Sequence, residues 1–440
     1  MSDNPVSPDA CAERPRRAGA SRRGILAGIA GATVLPVFSP YVARAATEIT
    51  FASARFGGMT SFAFLVDAYN KSQNNVRISY VELPPSSAST EVHQALVQQL
   101  ARRNGTPDVF TQDIIWIAEF ASAGWAMPLD EYFDASARKV FFPGLVDACT
   151  YQGKLMALPW FITAGMLYYR KDLLDAAKIA PPKTWHELAE ISKNLVGQDN
   201  TAFGFSWQAK QAEVLVCNLV EYIHSNNGTI LSPDGKQCLI NQPAAIEAVQ
   251  FMYDTINKLK ITPQDALSWN EEPSRRPFTA GQSIFLRNWP YAWAVSQDEK
   301  ESKVVGKVGV VPLPAFKGGH SAATLGGYQV GVNAFTKNRE AALDFARWVT
   351  SPEAQILMGL NIGQAPARSD VYDDARIVEA RPYWPGLRAT FNNAVPRPVT
   401  PRYPQLTLVL QSEVSKALTN GDIAGSLESA KTKIDAILAK

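Results

Sequence analysis

The chain has 440 residues, 46% hydrophobic and 19% charged, a balance that excludes wholesale disorder and, at this length, predicts two or three domains. The formal net charge of +2, with no basic run beyond the N-terminus, speaks against a nucleic-acid partner. No stretch past the N-terminus approaches the roughly eighteen consecutive apolar residues of a spanning helix, which excludes a multispan membrane protein.

The first 45 residues read as an address. Ser21-Arg22-Arg23-Gly24-Ile25-Leu26 leads into a small, apolar stretch from Ala27 to Phe38, and Ala43-Arg44-Ala45 supplies a small-residue cleavage site. This order is that of a secretory signal, and the paired arginines predict the twin-arginine export route. Cys11 precedes the arginines without a Leu-rich segment before it, so no lipid anchor is expected. Of the 43 basic and 41 acidic residues, six Arg and three acids lie in this segment, and the remainder is left with a net charge near −1.

Glu48 to Ala52 alternates as a strand, broken by Gly57-Gly58-Met59. Phe62, Leu65, Val66 and Tyr69 share one helical face, Val76, Ile78 and Tyr80 alternate again, and Ala95 to Arg103 reads as helix. Gly105-Thr-Pro-Asp-Val-Phe110 is a turn into a short buried strand. Strands alternating with helices predict an α/β fold with mostly parallel pairing. Thr184-Trp-His-Glu187 fits a capping box, and Pro243 opens a helix with Ile246, Val249, Met252, Ile256 and Leu259 as its core stripe. Ser283–Leu286, Lys307–Pro312 and Gln329–Asn333 read as strands, and Ala341–Val349, Leu406–Leu418 and Leu427–Leu438 as helices. With no low-complexity linker, the domains are expected to interleave through chain crossings.

Enzymatic signatures are scarce. The four histidines, at 93, 186, 224 and 320, show no metal-ligand spacing, and His186-Glu187 lacks the second histidine of a zinc helix. Gly204-Phe-Ser-Trp-Gln208 misses the second glycine of a nucleophile elbow, so Ser206 has no claim as a nucleophile. No cofactor or metal is expected. Glu271-Glu272 and Asp373-Asp374 read as solvated acids in polar loops. Cys149 reads as a buried thiol, while Cys217 and Cys238 either bridge or stay free.

Aromatic and polar residues gather at the ends of predicted strands. Asp113 and Trp116 follow one, Trp160 and Phe161 another, Trp289 and Tyr291 a third, and Tyr328 follows Gly326-Gly327. Crevices at strand ends bind ligands in open α/β sheets. A flat apolar ring beside a carboxylate suits a carbohydrate, whose C–H faces stack while its hydroxyls donate. Trp185 and Trp348 read as structural.

Gly105-Thr-Pro-Asp-Val-Phe110 with Asp113, Trp125-Ala-Met-Pro-Leu-Asp130, Leu167-Tyr-Tyr-Arg-Lys-Asp-Leu173, Pro182-Lys-Thr-Trp185, Gly281-Gln-Ser-Ile-Phe-Leu286, Ala341-Ala-Leu-Asp-Phe345 and Ser351-Pro-Glu-Ala-Gln355 form an ordered series. It resembles the extracellular solute-binding proteins of sugar ABC transporters, and Leu286-Arg-Asn-Trp-Pro-Tyr-Ala-Trp293 is most similar to the trehalose/maltose-binding branch. The resemblance implies a type II-like two-lobe periplasmic binding fold, with a cleft between lobes joined by hinge crossings. It places lobe one at 46–160 and 328–365, and lobe two at 161–327 and 366–440. It implies a monomeric, non-catalytic periplasmic receptor that closes on a sugar and presents it to the inner-membrane permease of an ABC importer.

By the same resemblance Asp113 grips hydroxyls, Trp289 and Tyr291 form a stacking platform, Gly327 and Tyr328 contact the ligand from a crossing, and Arg368 brings a guanidinium to the sugar. Trp116 and Trp160 are expected as further cleft walls. Two positions depart from the branch: Thr163 and the Arg55-Phe-Gly-Gly58 loop stand where disaccharide binders tend to carry acids. Fewer acceptors and an added donor predict a smaller or anionic sugar, or a polyol. A metal or organic-cation binder on the same fold is weaker, because Tyr168-Tyr169 precedes Arg170-Lys171 as in the sugar branch. A glycoside hydrolase would need a second carboxylate beside Asp113.

Overall fold

The computed structural model describes residues 46–56 and 61–440. The predicted export signal and Gly58 lie outside the described residues. Two four-stranded sheets organise the chain. The first holds β1 (Thr47–Arg55), β2 (Val76–Pro85), β3 (Val109–Asp113) and β8 (Tyr328–Val332), in the order β8-β3-β1-β2. The second holds β4 (Met166–Arg170), β5 (Phe203–Ser206), β6 (Ser283–Asn288) and β7 (Val308–Pro312), in the order β7-β4-β6-β5.

Pairing is mixed. β1 runs parallel to β2 and β3, and β5 runs parallel to β6, while β8 against β3, β4 against β6 and β7 against β4 are antiparallel. The expectation of mostly parallel strands holds inside the first βαβ stretch and fails at β8 and β4. Each of those strands enters its sheet from the other half of the molecule, without the local helical crossover that makes neighbours parallel.

The principal helices are α1 (Ala63–Ser72), α2 (Ser89–Leu100), α3 (Trp185–Leu195), α4 (Glu213–His224), α5 (Pro243–Asn257), α6 (Glu271–Thr279), α7 (Arg339–Val349), α8 (Pro352–Ile362), α9 (Tyr403–Asn420) and α10 (Ile423–Leu438). α3 begins with the capping box read from the sequence: Thr184 Oγ1 accepts from Glu187 N at 3.1 Å, and the Glu187 carboxylate accepts from Thr184 N at 3.1 Å. α4 was not legible by period, because ten of its residues are buried and it shows no polar face. α6 overturns the polar-loop reading of Glu271-Glu272, which form its first turn. Negative charge there complements the helix N-terminus.

Three crossings join the halves. Phe161–Ile162 pairs antiparallel with Ala365–Pro366, and Thr163 bridges Gly326. One core gathers around the first sheet with Phe51, Phe110, Trp160 and Phe345, and another around the second with Trp185, Trp207, Phe285 and Trp384. Phe141, Phe142 and Leu145, within the range expected for lobe one, pack in the second core. Cys149, Cys217 and Cys238 are buried free thiols, so no Cys217–Cys238 bridge forms. Among the described residues no helix is long and apolar enough to cross a membrane, and no cluster of three or more His, Cys, Asp or Glu is placed to hold a metal.

Candidate binding cleft at the lobe crossings

A cavity of about 260 Å³ lies where the crossings meet. Asp113, at the end of the fully buried strand β3, enters it from the first sheet. One carboxylate oxygen accepts from Ile115 N at 3.3 Å and from Arg397 Nη2 at 2.9 Å. Burial pushes this carboxyl above its ordinary range, and Arg397 pulls it back. Arg397 reaches the second half as well: Nη1 donates to Glu213 Oε1 at 2.8 Å. Glu213, the first residue of α4, also accepts from the Tyr403 hydroxyl and from Thr407 Oγ1 at 2.5 Å. Arg397 is held in place by its own backbone. Val395 N donates to Ala323 O at 2.8 Å and Leu325 N to Val395 O at 2.7 Å, zipping the segment onto the second crossing.

The opposite wall is aromatic and acidic. Trp289 and Tyr291 follow β6, with Glu271 and Glu272 beside them on α6. Trp289 Nε1 donates to Glu271 Oε1 at 3.4 Å, and the Tyr291 hydroxyl donates to Glu272 Oε1 at 2.7 Å. Glu272 also pairs with Arg275 at 2.6 Å. Among the described residues Glu271 has no cationic partner within ion-pair distance, and burial pushes its carboxyl up. Behind the platform, the Arg287 guanidinium lies 3.9 Å from the Trp289 ring centroid.

The third side belongs to the crossings. Tyr328 opens β8 with its ring edge-on to Trp116 at 5.5 Å and to Phe56 at 4.7 Å. Gly327 precedes it at φ +117°, and a Cβ there would lie 2.2 Å from Phe161 O, so only glycine lets the two crossings touch. Thr163, Phe161, Gly326 and Gln364 complete this side. Arg55, at the end of β1, lines the rim and pairs with Glu82 at 3.6 Å.

Of the sequence-derived residues, the structure brings together Arg55, Asp113, Thr163, Trp289, Tyr291, Gly327 and Tyr328. Three stand elsewhere. Trp160 is 0% exposed and packs against Phe51 and Phe62 in the first core. Trp116, 3% exposed, backs Tyr328 without reaching the cavity. Arg368 is turned to Asp370 at 2.7 Å and lies over Phe141, so Arg397 supplies the guanidinium expected of it. Sequence reasoning missed Arg397, Glu213, Glu271, Glu272 and Gln364. The acid pair carried a readable signal, since two acids before Pro273 fit a helix start. Gln364 and Arg397 carried none.

The arrangement's chemistry lies in what it leaves unmade. Five cavity-lining residues present a buried polar atom with no hydrogen-bond partner among the described residues: Arg55 Nε, Glu271 Oε2, Tyr328 Oη, Gln364 Oε1 and Arg397 Nε. Buried polar groups are ordinarily satisfied. Donors and acceptors both occur among residues that line the cavity with aromatic rings, which suits a ligand bearing both hydroxyls and C–H faces.

Two α/β lobes linked by three crossings, with the cavity at their junction, define the two-lobe solute-binding fold. The model of the bacterial extracellular solute-binding protein family matches residues 54–356, and the chain belongs to that family. A probable ABC transporter-binding protein of Deinococcus radiodurans is 36% identical over 410 residues, covering 91% of this chain and 95% of the relative. The maltose-bound structure of T. maritima MalE3 has a TM-score of 0.80 at 37% identity, covering 90% of this chain and 99% of that one. A mannitol-bound solute-binding protein of Agrobacterium vitis shares the fold at a TM-score of 0.76 and 23% identity, covering 89% and 98%.

Proposed function

We propose that the chain is the periplasmic receptor of an ABC importer and that its cleft captures a neutral saccharide or polyol. The observation that carries this reading is the set of five unpartnered polar atoms on residues that line one cavity with Trp289, Tyr291 and Tyr328. The cavity, about 260 Å³, falls just below the roughly 300–1,000 Å³ of common ligand pockets, which favours one or two sugar rings over a longer chain. The maltose carried by the T. maritima relative is of that size class.

Charge favours a neutral ligand. Asp113, Glu213, Glu271 and Glu272 face Arg55 and Arg397, and both arginines are already paired. A sugar acid would bring further negative charge beside Glu271, against the anionic alternative read from Arg55. An organic cation would meet the Trp289 ring with Arg287 on its other face, where the guanidinium already draws the ring's electrons. The acids at Glu271 and Glu272 supply the acceptors that Thr163 and Arg55 took from the sequence pattern.

The lobes of this reading are 46–160 with 328–365, and 161–327 with 366–440, with 141–145 packing across the boundary. Lobe closure brings Asp113 and Tyr328 toward Trp289 and Glu271, and the closed form engages the permease. Export by the twin-arginine route, a monomeric state and the lack of turnover belong to the same proposal. Thermal-shift screening against a carbohydrate library tests it, since a ligand of the folded state raises the midpoint. A rise with neutral saccharides or polyols, without product formation, supports the reading. A rise with sugar acids alone contradicts it.

A further inference from the structure

Arg287 and Glu221 form the most enclosed ion pair of the second lobe, with side chains 1% and 0% exposed. Arg287 Nε donates to Glu221 Oε2 at 2.8 Å, and Nη2 donates to Glu221 Oε1. Nη1 donates to Gln208 Oε1 at 3.3 Å, and Gln208 Nε2 returns a bond to Arg287 O at 2.8 Å. Neither partner is among the residues lining the cavity. Such a pair gives little net stability over apolar packing, because desolvation of both charges offsets their attraction. Net stability alone is therefore a poor account of the pair.

The surroundings supply another account. The guanidinium plane lies 3.9 Å from the Trp289 ring. Glu221 Oε1 also accepts from Thr324 N, at 3.2 Å, on the approach to the second crossing. The first crossing passes so close at Gly165 that a Cβ there would lie 2.0 Å from Glu221 Oε1 and 2.7 Å from Arg287 Nη2. One buried ion pair thus touches the aromatic platform and two of the three crossings.

We propose that Arg287, clamped by Glu221, is a positioning residue that fixes the Trp289 ring from behind and couples that ring to the chain crossings. The proposal rests on Trp289 being the ligand platform of the preceding section. Arg287 touches no ligand and acts through the ring and the crossings. Gly165 is bare because any side chain there would push the pair out of register with Trp289.

A double-mutant cycle on the full protein tests this, with affinities for maltose, trehalose and mannitol measured by calorimetry. Arg287→Met is expected to weaken binding about 3- to 30-fold, the scale of networked positions outside a site. The same change in a Trp289→Leu background is expected to move affinity less than about twofold, because no ring is left for the clamp to hold. Gly165→Ala, with all charges intact, is expected to weaken binding in the same direction. Equal losses from Arg287→Met in both backgrounds overturn the proposal. Where Arg287→Met alone fails to fold, the paired change Glu221→Gln with Arg287→Met removes both charges together and gives the same readout. A ligand-free measurement separates this proposal from the saccharide reading. The near-ultraviolet circular-dichroism difference between wild type and Trp289→Phe is expected to shrink in the Arg287→Met background. Its persistence overturns the positioning role even if no saccharide binds, whereas a wild type that binds none of the three sugars while this difference still shrinks contradicts only the saccharide reading.

Discussion

Arg397 and Arg287 are both buried, and both pair with a glutamate of α4, Glu213 and Glu221. Arg397 lines the cavity, reaches across to Asp113 of the first sheet and keeps Nε without a partner. Arg287 is sealed, has a partner for each guanidinium nitrogen and is turned to the back of Trp289. In the proposed reading the first has its bonds remade by a ligand and the second stays as it is. Two guanidiniums docked on one helix are thus set differently, one at the cavity and one behind its aromatic wall.

The largest expected effect tests the surface that the sealed arginine supports. Trp289→Ala removes the ring and is expected to cost about 100-fold in saccharide affinity, the scale of a central aromatic anchor, with thermal stability nearly unchanged. Calorimetry beside a melting curve reads both. Arg397→Met follows, with a loss of about 30-fold expected for truncating a buried charge partner. It leaves the Asp113 and Glu213 carboxylates without their shared cation, so the loss should shrink on acidification as Asp113, already raised by burial, takes up a proton. An affinity loss independent of pH would place Arg397 outside the ligand's charge environment.

Glu271 is expected to act on stability as well as on binding. Burial raises its carboxyl pKa in the folded state, so the folded protein binds that proton more readily than the unfolded chain. Its contribution to stability is full below the unfolded value and is lost as pH rises through the folded one. Asp113, also raised by burial, acts in the same sense. The ligand-free protein is therefore expected to gain stability through these groups on acidification from neutral pH. Glu271→Gln is expected to raise the neutral-pH midpoint by about 1–3 °C while weakening saccharide binding. A lowered midpoint with unchanged affinity would make Glu271 a structural acid. The smallest effect belongs to Arg368→Ala, whose partly exposed pair with Asp370 is expected to change stability by at most about 0.5 kcal/mol and affinity by less than twofold.

The two arginines also mark how far the sequence could be read. Strands β1, β3, β6 and β8, and helices with one polar face such as α5 and α7, follow from their periods, so these elements of the two sheets and their flanking helices were legible. α4, which carries both glutamates, was not, because a helix buried on all sides has no period to read. Arg397 sits between Pro396 and Pro398 and reaches the cavity only through pairing of its segment with the second crossing, a contact across about 70 residues of chain that no local pattern encodes. Trp160 and Trp116 show the converse: a strand end says where a ring begins and not which way it turns. Trp160 turned into the core, and Trp116 turned behind Tyr328. Arg287 stood in plain view beside Trp289, yet its role depends on a stacking distance and on Gly165, neither of which the sequence displays.

We propose that the cavity at the crossings holds a neutral saccharide or polyol on Trp289. Isothermal titration of the wild type and of Trp289→Ala with maltose, trehalose, mannitol and a sugar acid tests it most directly. The expected result is binding of at least one neutral compound with a negative heat-capacity change, its loss in Trp289→Ala, and no heat from the sugar acid. Binding of the sugar acid alone, or neutral binding that survives Trp289→Ala undiminished, would contradict it.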